Sequence, residues 1–168
     1  MTISMYSASI PVCIRMLNNL VGILEIGAGH CRENDIDESV LVGARLFPDM
    51  FPLARQVQIA SDIAKRGGSR LAGLEPDAVE DNEKTFDELI ERVRNVIAFL
   101  DTLEPEQIEG SGDRPITFRL RGSDVTMAGQ VFLLNFVMPN VYFHITTAYD
   151  ILRHNGVVLG KPDYLGRF

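Results

Sequence analysis

The residues best suited to chemistry lie near the carboxyl end of the chain, in a segment that is otherwise largely apolar. Asn140, His144 and Thr147 are spaced at i, i+4 and i+7, so a helix would place them on one face. An imidazole on such a face can serve as a general base or a metal ligand when a carboxylate lies nearby. This spacing makes His144 the principal candidate catalytic residue.

A second segment supplies partners for this face. Arg55, Gln58 and Asp62 fall on one side of a predicted helix, at i, i+3 and i+7. If that helix packs against the helix carrying His144, Gln58 and Asp62 can face the imidazole, and Asp62 becomes a candidate catalytic partner. The candidate ligand-binding residues are Gln58, Asn140, Thr147, Tyr149 and Arg55.

Three uses of this polar cluster stay open on the residues alone. A small-molecule pocket would use His144 as base or donor and Tyr142 or Tyr149 as a hydrogen-bonding wall. A transition-metal site would have only one imidazole, one carboxylate and two amides, which is a weak ligand set for nickel or zinc. A buried network that satisfies its own hydrogen bonds would fix helix register and perform no chemistry.

Composition limits the class of protein. The chain has 168 residues, which suits one domain over residues 1–168, and its net charge of −7 argues against a nucleic-acid surface. Cys13 and Cys31 are too far apart on one predicted helix to pair, and free thiols fit a reducing cytoplasm. The apolar start lacks the basic region of a signal peptide, and no segment is built as a membrane span.

Apolar periodicity predicts four main helices, which must position the cluster. The first covers about 3–31, the second starts at Pro48-Asp49 with Asp49 as cap, the third is capped by Asp81 and the fourth covers about 128–154. Gly67-Gly68 predicts either the end of the second helix or a close packing contact there. The four-helix pattern is typical of an all-α bundle.

Shorter features join these helices. A helical turn is predicted over 37–42, and a small β-hairpin over 116–126 with its turn at Gly122-Ser123-Asp124. Charged residues of the third helix, Arg92 among them, are interpreted as a solvated face. Pro139 predicts a kink or break with Asn140 capping the restarted helix, and Gly156 predicts a left-handed helix stop. The tail from residue 160 to Phe168 is predicted to be non-helical, with Tyr164 and Leu165 docked on the bundle.

Several stretches of sequence resemble one bacterial family. They are RLFPDMFPL at 45–53, HITTAYDILRHNGV at 144–157 and GKPDYLG at 160–166. The chain is similar over nearly its whole length to the DUF1993 family of unknown function, within the DinB/YfiT-like superfamily. The resemblance implies a DinB-like four-helix bundle with a hairpin in the crossover before the last helix. It also implies a homodimer and no assigned activity.

The resemblance bears on the metal question as well. Many DinB-like proteins hold nickel or zinc with three histidines, and only His144 matches that triad here. Asn140 and Gln58 take the other two positions, with Asp62 one turn beyond. We therefore expect no cofactor; a divalent metal, if bound, would use His144, Asp62 and Asn140. The alternatives are a structural homodimer with a degenerate metal site, or a metal-dependent hydrolase or thiol-transferase-like enzyme.

Overall fold

A computed structural model of the chain describes residues 3–166, which are mostly helical with one small antiparallel hairpin. The elements in chain order are α1 (Ile10–Glu33), α2 (Glu38–Val42), α3 (Leu53–Leu71), α4 (Phe86–Asp101), α5 (Pro105–Ile108), β1 (Pro115–Leu120), β2 (Ser123–Ala128), α6 (Gly129–Phe132), α7 (Met138–His154) and α8 (Lys161–Leu165). The long segments α1, α3, α4 and α7 match the four helices that the sequence predicts. The shorter helices add to that count.

The core forms where the long helices meet. Helix α3 packs against both α4 and α7, and α1 packs against the same two helices. Each long helix contributes fully buried apolar side chains to one cluster, for example Leu20, Val57, Leu89 and Ile145. Burying a side chain of this size stabilises the fold by roughly 1.5–3 kcal/mol. Helix α3 therefore has two packing interfaces, one with α4 and one with α7, and both bear on the candidate site.

Two consecutive glycines let α3 approach both neighbours closely. A Cβ atom on Gly67 would lie 2.8 Å from Cγ1 of Val137, and one on Gly68 would lie 2.6 Å from Cδ2 of Leu100. Both distances are too short for real contacts, so the glycines are required by packing rather than by a helix end. Of the two sequence alternatives, close packing is the correct one, and α3 continues to Leu71.

Two helix starts differ from the sequence predictions. Helix α3 begins at Leu53 with Pro52 at the cap position, whereas Asp49 lies in the preceding turn. Helix α4 begins at Phe86, and Thr85 forms a capping box: its hydroxyl accepts from the N–H of Glu88, whose carboxylate accepts from the N–H of Thr85. The predicted caps at Asp49 and Asp81 are therefore wrong.

The helix does not break at Pro139. A π-helical turn over Leu133–Val137 joins α6 to α7, and Pro139 lies in the first turn of α7. Proline lacks an N–H and crowds the preceding turn, and a wider π turn is one way for a helix to accommodate this. Asn140 does not cap a new helix, because its Nδ2 donates to the carbonyl oxygen of Phe136 at 2.6 Å.

The hairpin and the tail anchor the ends of the bundle. Strands β1 and β2 pair antiparallel, and the turn is Arg121-Gly122, with φ of 51° and 87°, rather than Gly122–Asp124. The ring of Phe118 in β1 packs 5.1 Å from that of Phe132, so the hairpin lies against the bundle as predicted. The tail does form a helix, α8, which corrects that prediction.

Other predicted features are confirmed. The helical turn predicted over 37–42 is α2 with its cap Asp37, and Gly156 has a φ of 91° after α7. Tyr164 docks on α1, because Nδ2 of Asn19 donates to its carbonyl oxygen at 2.9 Å. Phe168 lies outside the described residues. Helix α1 and the helix 129–154 are long and apolar enough for a membrane span, but 50% and 44% of those windows are buried inside the protein, as expected for core helices.

Candidate functional site

The imidazole of His144 meets helix α3 at Gln56. Nδ1 of His144 lies 2.7 Å from Oε1 of Gln56, which joins α7 to α3 across their interface. Gln56 is only 2% exposed, whereas His144 is half-buried and retains some access to solvent. We refer to these two residues as the Gln56–His144 pair.

The pair fixes which nitrogen of His144 carries the proton. Nε2 of Gln56 lies 3.0 Å from the carbonyl oxygen of Phe51, and a carbonyl can only accept, so the amide nitrogen must point there. The amide oxygen then faces His144, and Nδ1 must be the donor. The neutral imidazole is therefore the Nδ1–H tautomer, with its lone pair on Nε2. No described residue occupies that lone pair, so Nε2 is available to accept a hydrogen bond or a proton.

Two influences keep His144 neutral. Partial burial lowers its pKa below the ordinary value of 6.5, and the positive charge of Arg55 lowers the pKa further. Both act against the imidazolium form. At neutral pH the side chain is therefore an acceptor at Nε2 rather than a cation.

Asn140 and Thr147 lie one turn on either side of His144, as their spacing predicts. Because Nδ2 of Asn140 is engaged by the carbonyl of Phe136, its Oδ1 is a second acceptor on this face. The hydroxyl of Thr147 donates to the carbonyl oxygen of Phe143 at 2.8 Å, and this residue is 6% exposed. Thr147 is thus satisfied within its own helix, whereas Asn140 retains an unused oxygen.

An aromatic ring borders the pair. The ring of Phe143 is 60% exposed and meets the imidazole edge-on, with centroids 5.2 Å apart. Phe51, whose carbonyl orients Gln56, is 55% exposed. The acceptors of the site therefore lie beside exposed apolar surface.

The two predicted partners from α3 bond instead to helix α4 and to the 72–85 segment. Oδ1 of Asp62 accepts from Nη2 of Arg92 at 2.7 Å, and Nε2 of Gln58 donates to Glu83 at 2.9 Å. Neither residue contacts His144 in the part of the chain that the structure describes. Among the residues of α3, it is Gln56 that meets the imidazole.

Arg92 is the centre of this second polar group, which we call the Arg92 cluster. Its side chain is 3% exposed, so the prediction that it lies on a solvated face is wrong. Besides Asp62, its guanidinium donates to Glu83 at 2.7 Å, to Asp81 at 3.0 Å, to the hydroxyl of Ser61 at 3.1 Å and to the carbonyl oxygen of Glu80 at 2.8 Å. Its five N–H groups therefore have five acceptors.

The charges of the Arg92 cluster are also balanced. Three carboxylates, those of Asp62, Asp81 and Glu83, surround it, while Arg66 pairs with Asp62 at 3.2 Å and Arg55 pairs with Asp81. Burial opposes the charge of Arg92, but its bonds to Glu83 and Asp62 outweigh burial and raise its pKa above the ordinary value. The cluster ties the 72–85 segment to α3 and α4.

The other predicted site residues are distributed between these regions. Arg55 donates to Oε1 of Gln58 at 3.3 Å and lies over the ring of Phe51, with its Cζ atom 5.9 Å from the centroid. Tyr149 packs edge-on against Tyr164 of α8, with ring centroids 6.4 Å apart. Arg55 thus connects the two polar regions, and Tyr149 belongs to the docking site of the tail.

The donor set around His144 does not fit a transition metal. Within residues 3–166, no group of three or more His, Cys, Asp or Glu side chains is arranged to hold a metal ion. Oε1 of Gln56 is already bonded to His144, and Asp62 is bonded to two arginines. One imidazole nitrogen and one amide oxygen remain, whereas nickel and zinc bind where several nitrogen or sulfur ligands converge.

Sequence reasoning missed Gln56 and Arg92 as central residues, although both carry the same signal. Gln56 follows Leu53 by three positions and precedes Ala60 by four, so it lies on the apolar stripe of α3. Arg92 has the same relation to Leu89 and Val96 on α4. A polar residue on an apolar stripe is buried, and burial requires a partner.

Known proteins show the same architecture. The profile of the domain of unknown function DUF1993 matches residues 5–165. The crystal structure of a DinB family member protein from Shewanella denitrificans is 37% identical and superimposes with a TM-score of 0.88, covering 97% of this chain and 92% of that one. No curated protein matches the chain. The match over nearly the full length, together with the shared fold, shows that the chain belongs to the DUF1993 family and has a DinB-like fold.

Proposed function

We propose that this protein binds a small molecule at the Gln56–His144 pair, with Nε2 of His144 accepting a hydrogen bond or a proton from the ligand. The observation that carries the proposal is the fixed orientation of Gln56. Its amide is oriented by the carbonyl of Phe51, which assigns the Nδ1–H tautomer and leaves Nε2 open. The lowered pKa of His144 keeps that nitrogen unprotonated at neutral pH.

The surroundings indicate the chemical class of the ligand. Two acceptors, Nε2 of His144 and Oδ1 of Asn140, lie one turn apart on the same face and call for a ligand that donates. The exposed ring of Phe143 offers apolar contact beside them. A neutral ligand that joins an O–H or N–H donor to an apolar group matches this arrangement. With an acidic donor, the same geometry makes His144 a general base.

Chemistry based on a resident transition metal is less well supported. The ligands considered from the sequence, His144, Asp62 and Asn140, do not form a set, because Asp62 is engaged by Arg92 and Arg66. The alternative of a metal-dependent hydrolase or thiol-transferase-like enzyme therefore lacks support from the donor atoms.

A matched pair of probes tests the proposal. Phenol carries an O–H donor on an apolar ring, and anisole carries a methyl ether in its place. We expect phenol to shift the NMR signals of His144 and Phe143 saturably, and anisole to do so at least about fivefold more weakly, since one hydrogen bond contributes on the order of 1 kcal/mol. Equal shifts from the two probes would overturn the proposal.

Two variants of His144 sharpen this test. In His144→Asn the side-chain amide can still donate to Gln56 from near the Nδ1 position, but Nε2 is lost. We expect this variant to keep a melting temperature close to that of the wild type and to lose phenol binding. Thr147→Val, which removes a hydroxyl bonded within its own helix, is the control and should bind phenol normally.

A homodimer without chemistry is the second candidate, and the exposed rings of Phe51 and Phe143 favour it. If these rings form a subunit interface, light scattering should give twice the monomer mass, and Phe143→Ser should reduce it. A dimer that dissociates in Phe143→Ser and shows no phenol binding would support this candidate over the small-molecule site.

A further inference from the structure

A cavity of about 340 Å³ lies between the 72–85 segment and helix α4, away from the Gln56–His144 pair. One side of it comes from Asp77, Val79 and Asn82 of that segment, and Lys65 of α3 also lines it. Its volume is in the lower part of the range of small-molecule sites, about 300–1,000 Å³. The resemblance to DinB-like proteins assigns nothing here.

The floor of this cavity is rigid. Arg92 and Glu83 both line it, and they are joined at 2.7 Å within the saturated Arg92 cluster. Val96, also on the floor, is 5% exposed and packed in the core. All five N–H groups of Arg92 are used within the cluster. The guanidinium therefore lines the cavity as a fixed surface and has no free N–H group to bind a ligand. This part of the cavity therefore keeps its shape without a ligand.

The ring of Phe99 forms an aromatic wall of the cavity, and the ammonium group of Lys65 lies over it. Nζ of Lys65 lies 5.6 Å from the centroid of the Phe99 ring, within the range of a cation–π interaction. Lys65 has a flexible four-carbon stem, so a ligand can displace its ammonium group. Val79 and Val96 extend the apolar wall beside the ring. The wall thus offers a position for a positive charge next to a position for an apolar group.

The rim of the cavity is negatively charged. Asp77, Glu88 and Glu91 line it, and within residues 3–166 none of them forms an ion pair. Glu88 accepts hydrogen bonds from the backbone N–H groups of Lys84 and Thr85, which lower its pKa and keep it ionised. A cation in the cavity would therefore be attracted by the rim as well as by the ring.

We propose that this cavity binds an organic cation, an amine joined to an apolar group, with its charge over the Phe99 ring and its apolar part against Val79 and Val96. The aromatic wall selects for an organic cation over a hydrated metal ion, because the ring offers no lone pairs for coordination. The rim selects against anions. This site is independent of the Gln56–His144 pair, so each can fail without the other.

The test is a titration with 2-phenylethylammonium and its neutral analogue 2-phenylethanol, followed by the methyl signals of Val79 and Val96. We expect the amine to shift these methyl groups saturably and the alcohol to bind at least about fivefold more weakly. Equal binding of the two probes, or no saturable shift with the amine, would overturn the proposal.

Variants of the wall provide matched controls. Phe99→Leu should weaken amine binding about fivefold, whereas Lys65→Met should strengthen it because the internal competitor is gone. Phe51→Leu removes a different ring that lies beside a basic side chain, here Arg55, and should leave binding unchanged. If Phe99→Leu binds the amine as well as the wild type, or if Lys65→Met binds it more weakly, the aromatic wall is not the site.

Discussion

Helix α3 supports two buried polar groups, one at each of its interfaces, and they differ in how completely they are satisfied. Towards α4, the five N–H groups of Arg92 meet five acceptors, and its three carboxylates are balanced by arginines. Towards α7, the Gln56–His144 pair uses Nδ1 of the imidazole and leaves Nε2 open.

This difference separates a structural role from a binding role. A saturated buried network contributes to stability and fold specificity, and its central guanidinium has no free N–H group to offer a ligand. A pair that is held rigid on one side and open on the other offers one atom in a defined protonation state. The same helix therefore anchors the 72–85 segment on one side and presents an acceptor on the other.

The largest expected loss of stability comes from removing Arg92, the centre of the saturated cluster. Arg92→Met leaves three buried or partly buried carboxylates without their common partner, and we expect a loss of about 3–5 kcal/mol in the free energy of unfolding. The control is Arg94→Met on the same helix, since Arg94 is 61% exposed and its one ion pair among residues 3–166 is with Glu25. That change should cost no more than about 1 kcal/mol. Similar losses in urea denaturation would show that the Arg92 cluster is not structural.

An intermediate effect is expected at the open group. Gln56→Leu leaves the Nδ1–H of His144 without an acceptor, which should cost about 1–3 kcal/mol of unfolding free energy. Adding His144→Phe to this variant removes the unsatisfied donor and should restore part of the loss. A double variant that is as unstable as the sum of the two single variants would contradict the direct bond between these residues.

The smallest effect is a pH dependence carried by His144. Its folded pKa is below the ordinary value of 6.5, so just below pH 6.5 the unfolded chain binds a proton that the folded chain does not. Stability contributed by this residue is therefore present above pH 6.5 and declines as the pH falls towards the folded pKa. His144→Asn does not titrate, so its melting temperature should fall less than that of the wild type between pH 7 and pH 5. Parallel curves would refute the neutral imidazole.

Much of the fold followed from apolar periodicity, because the long helices bury regular stripes. The face shared by Asn140, His144 and Thr147 also followed, since spacing within one helix is fixed by its geometry. The residue of α3 that contacts His144 could not be predicted in this way. The i, i+3, i+7 face of Arg55, Gln58 and Asp62 was assigned to the helix of His144, but those side chains face α4 and the 72–85 segment.

The reason is that α3 packs against α4 on one side and α7 on the other, so residues facing the two interfaces are only a few positions apart in the sequence. A difference of two positions, from Gln56 to Gln58, turns the side chain by about 200° and moves it from one interface to the other. Asp81 illustrates a related error: the sequence suggests a helix cap, but a distant arginine competes for the same carboxylate. Such competition depends on the packing of whole helices and is invisible in local sequence.

The paired glycines of α3 have a consequence for how this family can change over time. Gly67 packs closely against Val137 and Gly68 against Leu100. Earlier in the same helix, Gln56 is hydrogen-bonded to His144 and Asp62 to Arg92. Deleting one residue between positions 58 and 66 would rotate everything beyond it by about 100° and misalign both interfaces together. Substitutions in α3 can be compensated one at a time, but a change in its length cannot, so insertions and deletions should be confined to the loops.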